Sequence, residues 1–235
     1  MSPIGRRTKT LTLHDRSCNH WPVSAAATAV DGRVARGEQT RKAILQRAMD
    51  VASVDGLEGL SIGQLAADLG ISKSGVFAHF GSKEELQLAT IRAAVEVFID
   101  HVVRPAKATP AGIRRVHKLL EAKLSYFEKP IFAGGCFFQS AAAEFNARPG
   151  RVRDAIAHTQ RDWRKLYEQT VQEAVALGEV SPDVDAAQLA FELDAYVRAA
   201  NSDALLYDEP EAYAKARLAL KARLAAAAAD PALIS

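Results

Sequence analysis

Residues 60–86 read LSIGQLAADLGISKSGVFAHFGSKEEL, and they carry the strongest structural signal in the sequence. Its pattern predicts two short helices separated by a tight turn and followed by the start of a third helix. Ser61 and Ser72 stand where a hydroxyl caps a helix by accepting a hydrogen bond from a free backbone N–H. Gly70 stands at the turn, because glycine adopts positive φ without the clash that a Cβ causes. The apolar face of the first helix consists of Ile62, Leu65, Ala66 and Leu69.

A short helix held across a glycine turn by a supporting helix is typical of the helix-turn-helix motif, whose second helix enters the DNA major groove. In this chain the second helix begins after Ser72 and turns Val76 inward. We therefore expect a protein that reads double-stranded DNA. The formal net charge is only +2, so DNA binding must depend on local clusters of positive charge rather than on a polycationic surface.

Composition and length are those of an ordinary globular protein. The 235 residues suffice for one large or two modest domains, and 49% hydrophobic with 25% charged residues is a typical balance. No apolar run approaches the ~20 residues that a membrane-spanning helix requires, so no membrane span is expected. The two cysteines, Cys18 and Cys136, lie far apart and form no disulfide framework, which favours a cytoplasmic location.

The sequence lacks the motifs of several enzyme and metalloprotein classes. Its six histidines show no paired spacing, so we expect no metal site and no cofactor. It contains neither a glycine-rich phosphate loop nor a Gly-x-Ser-x-Gly nucleophile motif. A helical enzyme using Cys136 and His158 is disfavoured, because no oriented set of nucleophile and base can be named. We therefore do not expect an enzyme.

Residues 1–37 show no periodicity and are mildly basic, which predicts a disordered basic extension. One interpretation is a flexible tail, and a second is a native translation start at Val34. A third is an arm that contacts the phosphate backbone or the minor groove of DNA. Mass spectrometry of the native protein distinguishes the second interpretation from the other two.

Beyond residue 37 the apolar residues show helical spacing and no alternation typical of strands. Besides the two helices of the motif, the predicted helices span 38–54, 82–104, 113–127, 134–145, 152–178, 183–207 and 210–226. Pro105 is expected to end the helix that starts at Ser82, while Ser181 is expected to cap the helix over 183–207. The sequence thus predicts an all-α fold of about nine helices, with a helix-turn-helix domain over 38–81, a second helical domain over 82–227 and a flexible tail over 228–235.

Residues 71–86, ISKSGVFAHFGSKEEL, suggest a particular family. The chain resembles the TetR family of bacterial transcriptional repressors over three helices from residue 38 to 80 and the opening of the fourth, and elsewhere only as a helical pattern. It departs at Ser74 and Gly75, where the family often has Gly followed by Thr or Ser, and at Phe77, near which the family usually has Tyr. A Tyr hydroxyl commonly donates to a DNA phosphate, whereas the phenyl ring of Phe77 cannot. The departure at Phe77 therefore concerns one contact to the DNA backbone and not the fold.

The second helix of the motif supplies the candidate base contacts. Lys73 lies near its N-terminus, from which a lysine reaches a guanine edge or a phosphate, and a solvated surface lysine is the alternative. Ser74 and Gly75 are small enough to let the helix backbone approach the groove. The alternative for Gly75 is a merely tolerated helix glycine, which costs about 1 kcal/mol relative to alanine.

The flanks of the motif supply candidate phosphate contacts. Lys83 lies in the first turn of the next helix, where free N–H groups also favour a phosphate. By the resemblance His79 contacts phosphate, and capping of the helix end is its alternative. The predicted set of DNA-contacting residues is Thr40, Arg41, Ser61, Gln64, Ser72, Lys73, Ser74, Gly75, Phe77, His79 and Lys83.

The resemblance implies that the domain over 82–227 binds a small-molecule effector and forms a homodimer. The predicted effector-binding residues are Tyr126, Phe127, Cys136, Phe137, Gln139, Trp163 and Tyr167, and an ordinary hydrophobic core is the alternative for each. Cys136 is expected to be a buried inert thiol rather than a redox sensor, because its neighbours are apolar. The predicted dimer contacts, on the last two long helices, are Leu189, Leu193, Tyr196, Val197 and Leu218.

These expectations combine into a homodimeric repressor that an unidentified effector releases from a palindromic DNA operator. The alternative is a DNA-organising protein that has the same helix-turn-helix domain but no effector. DNA binding that never responds to small molecules would favour this alternative.

Overall fold

A computed structural model describes residues 32–129 and 131–234. Its ten α-helices are α1 Gly32–Asp55, α2 Ile62–Asp68, α3 Lys73–Phe80, α4 Lys83–Phe98, α5 Arg104–Lys107, α6 Ile113–Glu128, α7 Phe137–Phe145, α8 Arg151–Ala176, α9 Ala186–Leu206 and α10 Glu211–Ala227. A π-helical segment, Ile99–Val103, joins α4 to α5 in one continuous rod, and a 3₁₀ turn covers Pro231–Ile234. The described residues thus form nine separate helices and no strand, which confirms the predicted all-α fold. None of these helices is both long and apolar enough to cross a membrane.

The first helix begins earlier than the sequence pattern predicts. Residues 1–31 of the predicted disordered extension lie outside the described residues. The prediction is wrong for residues 32–37, which form the first turns of α1. From Glu38 onward the chain forms a single compact unit.

The core under the helix-turn-helix motif brings α1, α2 and α3 together. Four side chains of this core are at most 1% exposed: Ile44 and Ala48 on α1, Leu65 on α2 and Val76 on α3. Gly70 adopts a φ of 64° between α2 and α3, which is the left-handed conformation expected at this turn. The motif predicted from residues 60–86 is therefore formed.

Pro105 does not end the fourth helix, and that prediction is wrong. A proline ring clashes with the carbonyl four residues earlier in a regular α-helix, and it lacks the N–H that continues the ladder. The chain widens the turn before Pro105 instead, and the Arg104 N–H donates to the Ile99 carbonyl, five residues back. The helix then continues to Lys107.

The predicted cap of α9 is wrong. Asp185, not Ser181, caps this helix, and its carboxylate accepts from the N–H groups of Ala187 and Gln188 at 2.9 and 3.0 Å. The Ser181 N–H instead donates to the Ala227 carbonyl at 2.9 Å, so Ser181 is fixed to the end of α10.

The C-terminal residues that the structure describes are packed against the fold. Ala228 forms an isolated antiparallel bridge with Val180, and the Ala229 N–H donates to the Glu179 carbonyl. Ile234, at the end of the 3₁₀ turn, is buried. The predicted flexible tail over 228–235 is therefore wrong for residues 228–234.

Candidate functional site

Two serine caps position α2 and α3. The Ser72 hydroxyl accepts from the Gly75 N–H at 3.0 Å, and the Ser61 hydroxyl accepts from the Gln64 N–H at 3.4 Å. Gly81 ends α3 in the left-handed conformation, with a φ of 74°. The helix start and end are thus set by local sequence, as the pattern predicts.

The outward face of α3 carries one cation, small residues and an aromatic ring. Lys73, Ser74 and Ala78 are exposed, and the Phe77 side chain is 54% exposed. A Cβ added to Gly75 would meet only the Ser72 hydroxyl, at 3.1 Å. Packing within the chain therefore gives little reason for a glycine at this position.

Lys73 lies back over the start of α2. A Cβ added to Gly63 would lie 3.1 Å from Lys73 Cε and 3.4 Å from its Nζ. The absence of a side chain at Gly63 makes room for this lysine.

Arg41 fastens α1 to the last turn of α3. Its Nη1 donates to the His79 carbonyl at 2.9 Å, and its guanidinium lies 4.5 Å from the centre of the Phe80 ring. The sequence pattern does not reveal this role, since residues 41 and 79 are distant in the chain. Arg41 therefore positions α3, and Thr40 beside it is half-buried.

Lys83 holds the loop between α1 and α2. Its Nζ donates to the Glu58 carbonyl at 2.5 Å and to the Glu58 carboxylate at 3.0 Å. The hydrogen bond from Lys83 lowers the pKa of Glu58. The Glu58 carboxylate thus occupies the position beside Lys83 at which the sequence predicts a DNA phosphate.

Gln64 is also engaged within the chain. Its amide donates to Asp68 at 2.5 Å, and Arg47 Nε donates to the other oxygen of that carboxylate at 2.7 Å. The hydrogen bonds from Arg47 and Gln64 lower the pKa of Asp68. Of the predicted DNA contacts, the structure therefore brings four to the open face of α3: Lys73, Ser74, Gly75 and Phe77.

A cavity of about 490 Å³ lies among α4, α6, α7, α8 and α9. Five of the predicted effector-binding residues line it, namely Phe127, Cys136, Gln139, Trp163 and Tyr167. Tyr126 and Phe137 are not part of this lining and are buried in the core beside it. Neighbouring residues on a helix point about 100° apart, so Phe127 reaches the cavity and Tyr126 packs edge-on against Phe98.

The cavity wall contains a buried ion pair that the sequence pattern does not reveal. The Lys123 ammonium on α6 donates to the Asp194 carboxylate on α9, and the two side chains are 8% and 10% exposed. Arg198 Nε donates to the second oxygen of Asp194 at 2.8 Å. Burial opposes the charge on Lys123, but the neighbouring Tyr167 and Asp194 outweigh burial and raise its pKa.

The uncharged polar groups of the cavity are fixed in different ways. Gln139 donates to the Arg198 carbonyl at 3.1 Å and accepts from Asn201 at 2.8 Å. Burial raises the pKa of the Cys136 thiol, so the protonated form is favoured. The Tyr167 hydroxyl is buried beside Lys123, and its O–H has no acceptor among the described residues.

The helix α7 joins the cavity wall to the helix-turn-helix motif. It supplies Phe138 and Gln139 to the cavity lining. From the same helix, the Glu144 carboxylate accepts from the backbone N–H groups of Leu57 and Glu58 at 2.7 and 3.0 Å. A change in the position of α7 therefore acts directly on the loop between α1 and α2.

Three of the five predicted dimer contacts are wrong. Leu189, Leu193 and Val197 are fully buried within the chain itself, because the apolar stripe of α9 packs against its own core. Tyr196 and Leu218 are exposed, Leu218 to 72%. Other exposed large apolar residues on α9 are Phe191, Leu205 and Leu206.

Two family models match most of this fold. Residues 44–90 match the model described as bacterial regulatory proteins of the tetR family. Residues 112–220 match the model described as a tetracyclin repressor-like C-terminal domain. The two matches cover the helix-turn-helix motif and the helices around the cavity.

Individual proteins give the same picture. The chain is 32% identical over 80 residues to the HTH-type transcriptional regulator BetI of Rhizobium meliloti (strain 1021), a match that spans 34% of this chain and only 39% of that relative. A TetR transcriptional regulator from Chloroflexus aurantiacus superposes with a TM-score of 0.77 at 26% identity, covering 83% of this chain and 98% of the other. A transcriptional regulator from Saccharomonospora viridis, solved in complex with choline, superposes with a TM-score of 0.67 at 23% identity, covering 79% and 95%.

Proposed function

Because the chain belongs to the TetR family of bacterial transcriptional regulators, we propose that it is a repressor that leaves a palindromic operator when a small organic effector fills the cavity. The observation that carries this proposal is the double role of α4 and α7. Phe98 on α4 and Phe138 on α7 line the cavity, while Lys83 on α4 and Glu144 on α7 hold the loop between α1 and α2. An effector that shifts either helix therefore acts on the loop that leads into α2 and α3.

The proposed mechanism requires a difference in effector affinity between two conformations. In the DNA-bound conformation of a dimer, the two α3 helices lie in successive major grooves, roughly 34–36 Å apart. The effector favours a conformation with a different spacing, and its effect can be no larger than its differential affinity for the two states. The neighbour solved with choline supports a small molecule as the kind of ligand that this fold holds.

The test is selection of bound sequences from a random pool of DNA duplexes at a stated salt concentration, followed by a screen for compounds that release the selected duplex. A palindromic consensus and release by a compound that binds the cavity support the proposal. Salt-sensitive binding without a consensus contradicts it and favours the DNA-organising alternative.

We expect Lys83→Ala and Glu58→Gln to have opposite effects on DNA affinity. Lys83→Ala should weaken binding to all duplexes about equally and reduce the salt slope by roughly 1, because one phosphate contact is lost. Glu58→Gln should strengthen binding to all duplexes, because the carboxylate that holds Lys83 is neutralised. The measurement is duplex affinity against salt concentration. A loss confined to the cognate duplex would contradict the phosphate role of Lys83.

The proposed dimer interface lies on the outer faces of α9 and α10. We expect Leu218→Glu to convert the dimer into a folded monomer. Leu218 is exposed in the single chain, so the change should not disturb its fold, whereas burying a carboxylate between two copies carries a large desolvation penalty. Leu177→Glu is the matched control, since Leu177 is similarly exposed but follows α8. Sedimentation velocity and circular dichroism measure assembly and folding. A dimeric Leu218→Glu protein would place the interface elsewhere.

A further inference from the structure

The cavity that binds the proposed effector has a positively charged lining. Lys123, Arg164 and Arg198 line it and carry positive charge, whereas Asp194 is the one acidic residue among the described residues of this lining. Asp194 already accepts from both Lys123 and Arg198, and Arg164 forms no ion pair with any described residue. A ligand that enters therefore meets more positive than negative charge.

The inner part of the cavity contains hydrogen-bond donors without acceptors. A lysine ammonium has three N–H donors, and Asp194 is the hydrogen-bond acceptor that the structure shows for Lys123. The buried Tyr167 hydroxyl lies beside the Lys123 ammonium, which can only donate, and no described residue accepts from the Tyr167 O–H. Burial of a donor without an acceptor is unfavourable, so this pair of side chains favours a ligand that supplies acceptor oxygens.

The rest of the wall is aromatic. The Trp163 ring stacks on Phe98 with centroids 4.0 Å apart and meets the Phe138 ring edge-on at 4.4 Å. Planar apolar surfaces of this kind bind rings and branched hydrocarbon groups through burial and aromatic contacts. One end of the cavity therefore favours an anion, and its walls favour an apolar body.

On the basis of the proposed function, under which this cavity binds the effector, we propose that the effector is an organic carboxylate with a ring-containing apolar body. Its carboxylate accepts hydrogen bonds from Tyr167 and Lys123, and its ring lies against Trp163 and Phe138. Arg164 and Arg198, both exposed, attract the anion at the mouth. A cationic ligand of the same shape is repelled by these groups.

The test compares three ligands of nearly the same shape: 4-tert-butylbenzoate, 4-tert-butylbenzamide and 4-tert-butylbenzylammonium. Binding is followed by Trp163 fluorescence in the full chain carrying Trp21→Phe, which leaves one tryptophan. We expect the carboxylate to bind at least ten-fold more tightly than the amide and the ammonium to bind most weakly. Equal affinities, a preference for the ammonium, or no binding by any of the three would overturn the proposal.

Tyr167→Phe removes one hydroxyl and keeps the packing. We expect it to weaken carboxylate binding about five- to ten-fold and amide binding less, because hydrogen bonds to ionised acceptors are about twice as strong as neutral ones. Its thermal midpoint should be unchanged or higher, since the hydroxyl has no partner among the described residues of the free protein. Tyr126→Phe is the matched control, because the Tyr126 hydroxyl is also buried without a partner among the described residues but Tyr126 lies outside the cavity lining, so carboxylate affinity should stay unchanged. Unchanged carboxylate affinity in Tyr167→Phe would contradict the assigned contact.

DNA release is measured separately from ligand binding, with the selected duplex. If the carboxylate binds in the expected order and the DNA complex persists, the ligand class is supported and effector release is contradicted. If another compound releases the DNA while the three ligands show no carboxylate preference, the proposed function is supported and this ligand class is wrong.

Discussion

Asp194→Ala is expected to lower the free energy of unfolding by about 3–5 kcal/mol. The substitution leaves the Lys123 ammonium buried among α6, α8 and α9 without its counter-ion. A buried charge without a partner retains its full desolvation cost, whereas the surrounding packing changes little. The measurement is urea unfolding at pH 7 and at fixed protein concentration, because dimerisation makes stability depend on concentration.

The double substitution Lys123→Met with Asp194→Leu is the matched control. Replacing a buried ion pair by apolar side chains of similar volume is often neutral or stabilising, so we expect the double variant to recover most of the loss. The two residues are in contact, so their effects should be strongly non-additive. A double variant as unstable as Asp194→Ala would show that the pair stabilises the fold beyond satisfying its own charges.

The same pair predicts a dependence of stability on pH. Burial alone would raise the pKa of Asp194, but Lys123 and Arg198 outweigh burial and hold it below its ordinary value of about 3.9. A carboxylate whose pKa is lowered by folding contributes stability above its unfolded pKa and loses it as the pH falls through the folded pKa. The stability of the native chain relative to the double variant should therefore fall on acidification below about pH 4.

Gly75→Ala is expected to weaken binding to the selected duplex ten-fold or more without harming the fold. Alanine in a helix interior is favoured over glycine by about 1 kcal/mol, and the new Cβ would meet only the Ser72 hydroxyl. The new Cβ lies 3.1 Å from the Ser72 hydroxyl that caps α3, so this hydroxyl must shift slightly and offsets part of the gain in helix propensity. Stability should therefore change little, while the added methyl group keeps the α3 backbone away from the groove. The measurements are duplex affinity and thermal midpoint.

The matched control for this variant is Gln169→Ala, a change at an exposed position of α8 that also favours helix. It should leave duplex affinity unchanged. Full DNA affinity in Gly75→Ala would place the contact surface away from the α3 backbone. It would also restore the interpretation of Gly75 as a tolerated helix glycine.

Local signals made the helix-turn-helix motif predictable from sequence. The caps Ser61 and Ser72 and the turn at Gly70 act on residues within four positions, and the structure shows each of them in the expected role. The start of α9 was not predictable in this way, because Ser181 and Asp185 are both good caps. The choice between them depends on the bond from Ser181 to Ala227, which is distant in sequence.

Partners distant in sequence also explain what was missed at the two candidate sites. Lys123 stands on an otherwise apolar stripe of α6, which is a signal for a buried charge, but the sequence does not identify Asp194 as its partner. The stripe of Leu189, Leu193 and Val197 shows that one face of α9 is covered, but periodicity does not say whether the same chain or a second copy covers it. The spacing of apolar residues along a helix shows which face is buried, but only the folded structure shows which element covers that face.

The π-helical segment before Pro105 has a consequence for the length of the chain. A π turn accommodates one residue more than an α turn over the same rise, so the rod from Lys83 to Lys107 contains an inserted residue relative to a regular helix. A homologue with an unbroken α-helix here, and without the proline, should be one residue shorter between the positions equivalent to Phe98 and Arg104. The insertion and the proline are then expected to occur together among homologues, because the wider turn accommodates a ring that would clash with the preceding turn of a regular α-helix.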